Sequence, residues 1–355
     1  NGGTSSSSTP VLTSSFGIGR TAVDISLAKT STNFGQQLDH ACVILDNGSV
    51  SCWGTGGFGQ LGNGGTSNSN NPVLTSSLGT GRTAVAISSG RAHTCAILDD
   101  GSVSCWGMGG AGQLGNGASS NKNSPTQTSS LGTGRTAIAI SSGYDHTCAL
   151  LDNGSVSCWG YNDDGQLGTG SNDWENTPTL TDNLGTGRTA VAISSGFWHT
   201  CAILDNGNIS CWGNGVFGGI GNGGTSDKNN PTPTSGLGTG RTAISISAGM
   251  YHTCAILDNY DVSCWGRGWH GVLGNNGTSD INIPTTIVIS LGTGRSAIAI
   301  SSGDSHTCVN LDNGSISCWG DGYNGQLGNG NIGNSAQSNT PVFVSNIGTN
   351  SLVAS

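Results

Sequence analysis

The sequence predicts an all-β chain, a β-propeller of four-stranded blades with six complete repeats and terminal strands that are candidates for a partial seventh blade. Three observations carry that expectation. The segment His146-Thr-Cys-Ala-Leu-Leu-Asp-Asn-Gly-Ser-Val-Ser-Cys-Trp-Gly160 occurs in six versions. Their first cysteines, Cys42, Cys95, Cys148, Cys201, Cys254 and Cys308, follow one another at 53 residues, once at 54. A fixed period of this length marks a repeat architecture. Each unit also offers four short apolar runs punctuated by Gly-, Asn- and Pro-rich turns, the pattern of sheets built by radial repetition.

The hairpin comes first. His146–Leu151 and Ser155–Trp159 flank Asp152-Asn153-Gly154, a hairpin signal. A three-residue loop with glycine in the left-handed region makes Leu151 and Ser155 opposite neighbours. Counting back sets Cys148 across from Cys158 in a non-hydrogen-bonded pair, where antiparallel backbones approach most closely. That approach is within disulfide range after modest adjustment. The same count pairs Cys42 with Cys52, Cys95 with Cys105, Cys201 with Cys211, Cys254 with Cys264 and Cys308 with Cys318, and uses all 12 cysteines. Zinc is the rival reading, but a Cys-x9-Cys spacing lacks the tight knuckle that usually sets zinc geometry. Neither a metal nor a cofactor is expected. Disulfides imply an oxidising compartment, so the expected location is extracellular or at the cell surface.

In chain order, hairpins fall near 40–53, 93–106, 146–159, 199–212, 252–265 and 306–319 of a single domain spanning 1–355. A run of the Thr-Ala-Val-Ala-Ile-Ser type precedes each hairpin and a proline-led run such as Pro72-Val-Leu-Thr75 follows it. Proline cannot donate to a ladder, so the proline-led run belongs at a sheet edge. Both hairpin faces are apolar or small, which fits blades buried on both sides better than a sandwich. The stretches 1–26 and 341–355 hold a proline-led run with no hairpin before it and an inner run with none after it. They could meet as an incomplete seventh blade, leave one element surplus on a six-bladed ring, or complete a neighbouring subunit, since unpaired edges invite strand addition. The segment from about Leu27 to Gln37 is longer than its counterparts and breaks the Ser-Ser-Gly-x-x-His pattern. The opening Asn1-Gly-Gly-Thr4 matches the repeat interior at Asn63-Gly-Gly-Thr66, which suggests a processed product or a cut within a longer array.

Composition narrows the function classes. Charged residues are 9% of the chain, the net charge is −9, and the three lysines and eight arginines are scattered. No basic patch is available for nucleic acid. No apolar run approaches the roughly 18 residues needed to span a bilayer. No Ser/His/Asp, Cys/His or paired-carboxylate constellation stands out from the repeats, so an enzyme is not expected.

Ile140-Ser-Ser-Gly-Tyr-Asp-His-Thr-Cys-Ala-Leu150, followed by Trp159-Gly160 and Gly165-Gln-Leu-Gly168, resembles the repeat of the regulator of chromosome condensation family. The resemblance covers nearly the whole chain and implies a propeller, usually of seven blades. The founding member is a nuclear exchange factor for a small GTPase. The disulfides and the acidic, lysine-poor composition argue against that nuclear role here, since fold does not imply function. Secreted bacterial members that bind a protein partner are nearer in setting.

Recurrent motifs have structural readings. The six histidines at 40, 93, 146, 199, 252 and 306 share one context and read as packing or backbone-bonding groups. Gly132-Thr-Gly-Arg135 and its copies read as turns between blades, with the arginine on neighbouring carbonyls. Asn162-Asp-Asp-Gly165 is a weak calcium-loop pattern. Tyr260 replaces a turn glycine and should strain or reshape that turn. The positions that vary between copies are more informative. They lie before the histidine and after Trp-Gly, and many are aromatic. Loops on a rigid scaffold carry recognition, so Tyr144, Tyr161, Phe197, Trp198, Tyr251, Trp269 and Tyr323 are the candidate binding surface. Two functions follow: an extracellular structural or adhesive protein that assembles through its terminal strands, which the unmatched termini favour, or a soluble secreted module that binds a protein or glycan.

Overall fold

Each repeat folds into one antiparallel sheet of four strands, and the described residues contain six such sheets. The computed structural model describes residues 7–29, 38–286, 291–292, 294–333 and 335–345. The third blade is representative: Ala137–Ser142, His146–Leu151, Val156–Gly160 and Glu175–Leu180, paired in that order. The blades stand side by side as a six-bladed β-propeller, with the Ala-Val-type strands innermost and the proline-led strands on the outer edge. The candidate terminal stretches are partly used inside blades, Ala22–Leu27 as the inner strand of blade one and Ser338–Phe343 as the outer strand of blade six.

The register follows from the turn. Leu151 N–H donates to Ser155 O, and Cys148 lies opposite Cys158. All six cysteine pairs are disulfide-bonded, each with a Cα–Cα separation of 4.1 Å. Asn153 and its equivalents accept from the backbone two residues on, the Asx turn that explains Asn-Gly in four of the six hairpins. Tyr260 holds the glycine position at φ 66°, left-handed as its place in the turn demands.

One blade cannot bury both faces, so the core is divided among the junctions between blades. Between blades two and three, Ile97, Val103, Leu114 and the Cys95–Cys105 bridge pack on Ala149, Leu151 and Trp159. Trp106, Trp159, Trp212, Trp265 and Trp319 are fully buried in this way, each over the last glycine of the preceding blade's Gly-x-x-Gly loop. At Gly115, for example, a Cβ would stand 2.8 Å from Trp159 Nε1, so only glycine admits the ring.

Polar bonds set the relative height of the blades. His93 Nε2 lies 2.9 Å from Thr147 Oγ1 of the next blade, and that hydroxyl donates to Gln113 O. Because the threonine proton is committed to the carbonyl, the imidazole must be the Nε2–H tautomer. The same contact joins His40 to Thr94, His146 to Thr200, His199 to Thr253 and His252 to Thr307. The histidines are therefore buried packing groups, as one of the two expected roles has it, and their bond is to a side chain across the junction rather than to backbone. Nearer the axis, Ser89, Ser142, Ser195, Ala248 and Ser302 donate their N–H to a serine Oγ of the preceding blade.

The junction between blades six and one departs from this pattern, and its residues differ accordingly. Ala41 stands where the other copies have threonine, so His306 meets no hydroxyl there. Asn310, half-buried, stands where Ile97 or Leu150 is buried. Trp53 is only half-buried, and Phe16 lies 6.1 Å from it. Ser8 O accepts from Gly330 N, the contact that the outer strand of the next blade makes elsewhere, as Asn123 O does from Gly64 N. The N-terminal stretch thus occupies an outer-strand place beside blade six, while residues 346–355 lie outside the described residues. Of the longer segment, residues 30–37 also lie outside them. Its described end, Lys29, donates from its ammonium to Ser195 O of blade four across the central channel.

Two outcomes follow. His146→Ala removes the imidazole that donates to Thr200 Oγ1, leaving that hydroxyl only its bond to Gln166 O, and opens a buried gap, which should cost about 1–3 kcal/mol and lower the urea midpoint; an unchanged midpoint would contradict the contact. Burial also keeps these rings neutral, pushing His93, His199 and His252 down to about 3 and His40 to about 4 from 6.5. An unfolded chain takes up protons below about 6.5 and the folded one does not, so this stability is full above 6.5 and lost as pH falls towards 4. The urea midpoint, with disulfides intact, should drop steadily between about pH 7 and about pH 4.5; a flat or rising midpoint would refute the assignment.

Candidate binding surface

The variable positions are drawn together by backbone bonds. In each blade the residue after Trp-Gly donates to the carbonyl of the residue before the histidine: Tyr161 N to Asp145 O, Asn214 N to Trp198 O, Arg267 N to Tyr251 O. Between blades, Arg91 N donates to Tyr144 O, Tyr144 N to Phe197 O, and Phe197 N to Gly249 O. Positions far apart in sequence therefore form one band around the histidine end of blades two to five.

Aromatic rings fill the band. Tyr144, Phe197 and Met250 are buried in a cluster of their own, with Trp198 and Tyr251 packed against it. Tyr144 stacks on Phe197 at 5.0 Å and tilts against Trp198 at 4.8 Å. Trp198 meets the edge of Tyr161, which lies 4.9 Å from Trp174. Phe217 and Tyr251 make an edge contact at 5.3 Å. Of the seven predicted surface residues, Phe197 and Tyr144 are foundations rather than surface, at 1% and 5% exposure. Trp198, Tyr251 and Tyr161 are half-buried and Trp269 is exposed. Tyr323, on blade six, is exposed but makes no ring contact among the described residues and stands apart from the band.

Polar groups pin the rings. Asp163 accepts from Tyr161 Oη at 2.8 Å and from Trp174 Nε1 at 2.7 Å. Burial, and then this bond to Asp163, push the Tyr161 phenol up. Arg91 lies over the Tyr144 ring and pairs with Asp145 at 3.0 Å. Burial raises the Asp145 carboxyl and Arg91 opposes it. Asn162 is committed to its loop, donating to Ser171 O and Asp173 O and accepting from Leu167 N. With that amide closing the loop and Asp163 on two aromatic donors, the calcium-loop pattern is a loop brace. The turn arginines also differ from expectation: Arg135 pairs with the hairpin-turn Asp152 at 3.3 Å, not with carbonyls, and its copies do the same.

Two features were missed in sequence. Trp174 and Arg267 complete the two ends of the band; each is a departure from the repeat, which is the signal that could have found it. The second feature is a change of loop form. Gln60, Gln113, Gln166 and Gln326 accept from the loop N–H two residues earlier. Blades four and five have Gly219 and Val272 instead. Without that brace their loops form 3-10 turns, Val216–Gly218 and Trp269–Gly271, with Phe217 at φ 64° and His270 at φ 56°. Left-handed non-glycine residues cost on the order of 1–2 kcal/mol each.

Residues 34–354 match the model of the RCC1-like domain. The chain belongs to the RCC1-like domain family. It is 30% identical over 307 residues to the human E3 ubiquitin-protein ligase HERC2, covering 86% of this chain and 6% of that protein. It is 30% identical over 248 residues to the ultraviolet-B receptor UVR8 of Arabidopsis thaliana, covering 70% and 56%. The RCC1-like chain thus spans less than two thirds of these relatives' lengths. Among solved structures, human WBSCR16 is similar in fold at a TM-score of 0.79 and 19% identity, over 93% of this chain and 83% of that one. Prp20p of Saccharomyces cerevisiae, a protein with described binding to Gsp1p and histones, gives 0.76 at 20% identity, over 87% and 76%. Yeast RCC1 (Prp20), whose structure was solved bound to Kap60, has the same fold at a TM-score of 0.75 and 19% identity.

Proposed function

We propose that this chain is an extracellular or cell-surface binding module that recognises a protein through the aromatic band of blades three to five. The contiguity of Trp174, Tyr161, Trp198, Tyr251, Phe217 and Trp269 carries this reading. Half-buried and exposed Trp, Tyr and Arg on a rigid base are the residue types that dominate interface energetics, and their rotamers are already held. The six disulfides support an oxidising location. No helix of the described residues is long and apolar enough to cross a membrane. A glycan partner is the weaker form of this proposal, because the band is a relief of rings rather than a cleft.

A structural or adhesive role through self-assembly is the second reading. One observation favours it: the junction of blades six and one, with Ala41, Asn310 and Trp53, lacks the contact made at the other junctions. Chains joined there would run as polymers in size-exclusion chromatography, and a single species of 35.5 kDa would remove that reading.

The main proposal is tested with the immobilised, disulfide-intact chain and the extracellular fluid of its source. Trp198→Ala combined with Trp269→Ala should reduce retention of the partner roughly tenfold or more, while Leu74→Ser on the remote outer strand of blade one should not. Equal retention by all three proteins would sink the proposal.

A further inference from the structure

The eight arginines divide seven to one. Arg20, Arg82, Arg135, Arg188, Arg241 and Arg295 each pair with a hairpin-turn aspartate, and Arg91 pairs with Asp145. Arg267 has no carboxylate partner among the described residues, in a chain with a net charge of −9. Rings hold it instead. Its guanidinium carbon lies 4.0 Å from the Trp269 centroid, 4.7 Å from Phe217 and 5.5 Å from Tyr251.

Stacking of this kind fixes the plane of the fork and leaves its N–H edge to bond elsewhere. Phe217 and Trp269 sit on the two loops that lost the glutamine brace and carry left-handed residues. Strain retained at a rigid surface tends to mark a working site. Arg267 is half-buried, and the Trp269 ring beside it is exposed, so the site faces solvent.

We infer that Arg267, clamped between Trp269 and Phe217, is a carboxylate-binding site that takes an aspartate or glutamate side chain of a protein partner. The inference rests on the aromatic band being the binding face and names the group it receives. A carboxylate accepts two parallel bonds from a guanidinium edge, and the exposed Trp269 ring covers the stem of the incoming side chain. An acidic sugar carries the same group, but it binds best in a groove lined to hold its ring, and the band that carries Arg267 is a relief of rings rather than a cleft.

Arginine-labelled protein resolves the eight Nε–Hε signals, and the probe is a blocked hexaglutamate peptide, with hexaglutamine and trigalacturonate as comparisons. Hexaglutamate should move the Arg267 signal, identified by its loss in Arg267→Gln, and leave the other seven in place. Arg267→Lys keeps the charge without the fork and should weaken binding about tenfold. No movement, equal movement with hexaglutamine, or a response to trigalacturonate at equal or lower concentration would overturn the inference. If Arg267→Gln retains the protein partner as well as the unaltered chain does, the carboxylate site fails alone. If Trp198→Ala retains it too, the reading of the band fails with it.

Discussion

A single three-part contact recurs wherever one blade meets the next in five successive junctions. A histidine of one blade bonds a threonine of its neighbour, that threonine returns its proton to a loop carbonyl of the first blade, and a tryptophan closes over the glycine that ends the loop. Apolar burial drives the blades together but has no direction, so it would tolerate sliding. If the blades slipped, the buried hydroxyl would lose both its partners on the neighbouring blade and the imidazole its hydroxyl acceptor, and an unmet buried polar group costs more than the bond contributes. The threonine relay therefore fixes blade height, and with it the spacing of every loop displayed above the histidines.

Much of the fold was legible because it is periodic. The hairpin count sets Cys148 against Cys158, and proline marks the outer edge of each sheet. Even the irregular junction is written in single letters, as alanine for threonine at Ala41 and asparagine for isoleucine or leucine at Asn310. The functional surface was legible only in part. Variation identified Trp198, Tyr251 and Trp269, but it could not separate Phe197, a buried support, from the rings it supports. Contacts such as Tyr161 with Trp198 cross blades, so no spacing within one repeat reports them. The pairing of the turn arginines is not legible in one repeat, because Asp152, 17 residues after Arg135, joins it only when the hairpin folds back.

The band owes its form to departures from the repeat. Replacing a glutamine with Gly219 and Val272 released two adjacent loops into a left-handed form that regular blades avoid. Trp174 and Arg267 were added at its ends, where Asp163 and three rings hold them. Scaffold and surface are thus separable: the relay residues repeat, and the display residues do not.

Hydroxyl-radical footprinting of the free and partner-bound chain, read tryptophan by tryptophan, tests this division most directly. Recognition by the band predicts protection of Trp174, Trp198 and Trp269, with Trp53 at the junction of blades six and one unchanged. Protection of Trp53 and Phe16 with the band still fully reactive would contradict it and would make the irregular junction the working surface.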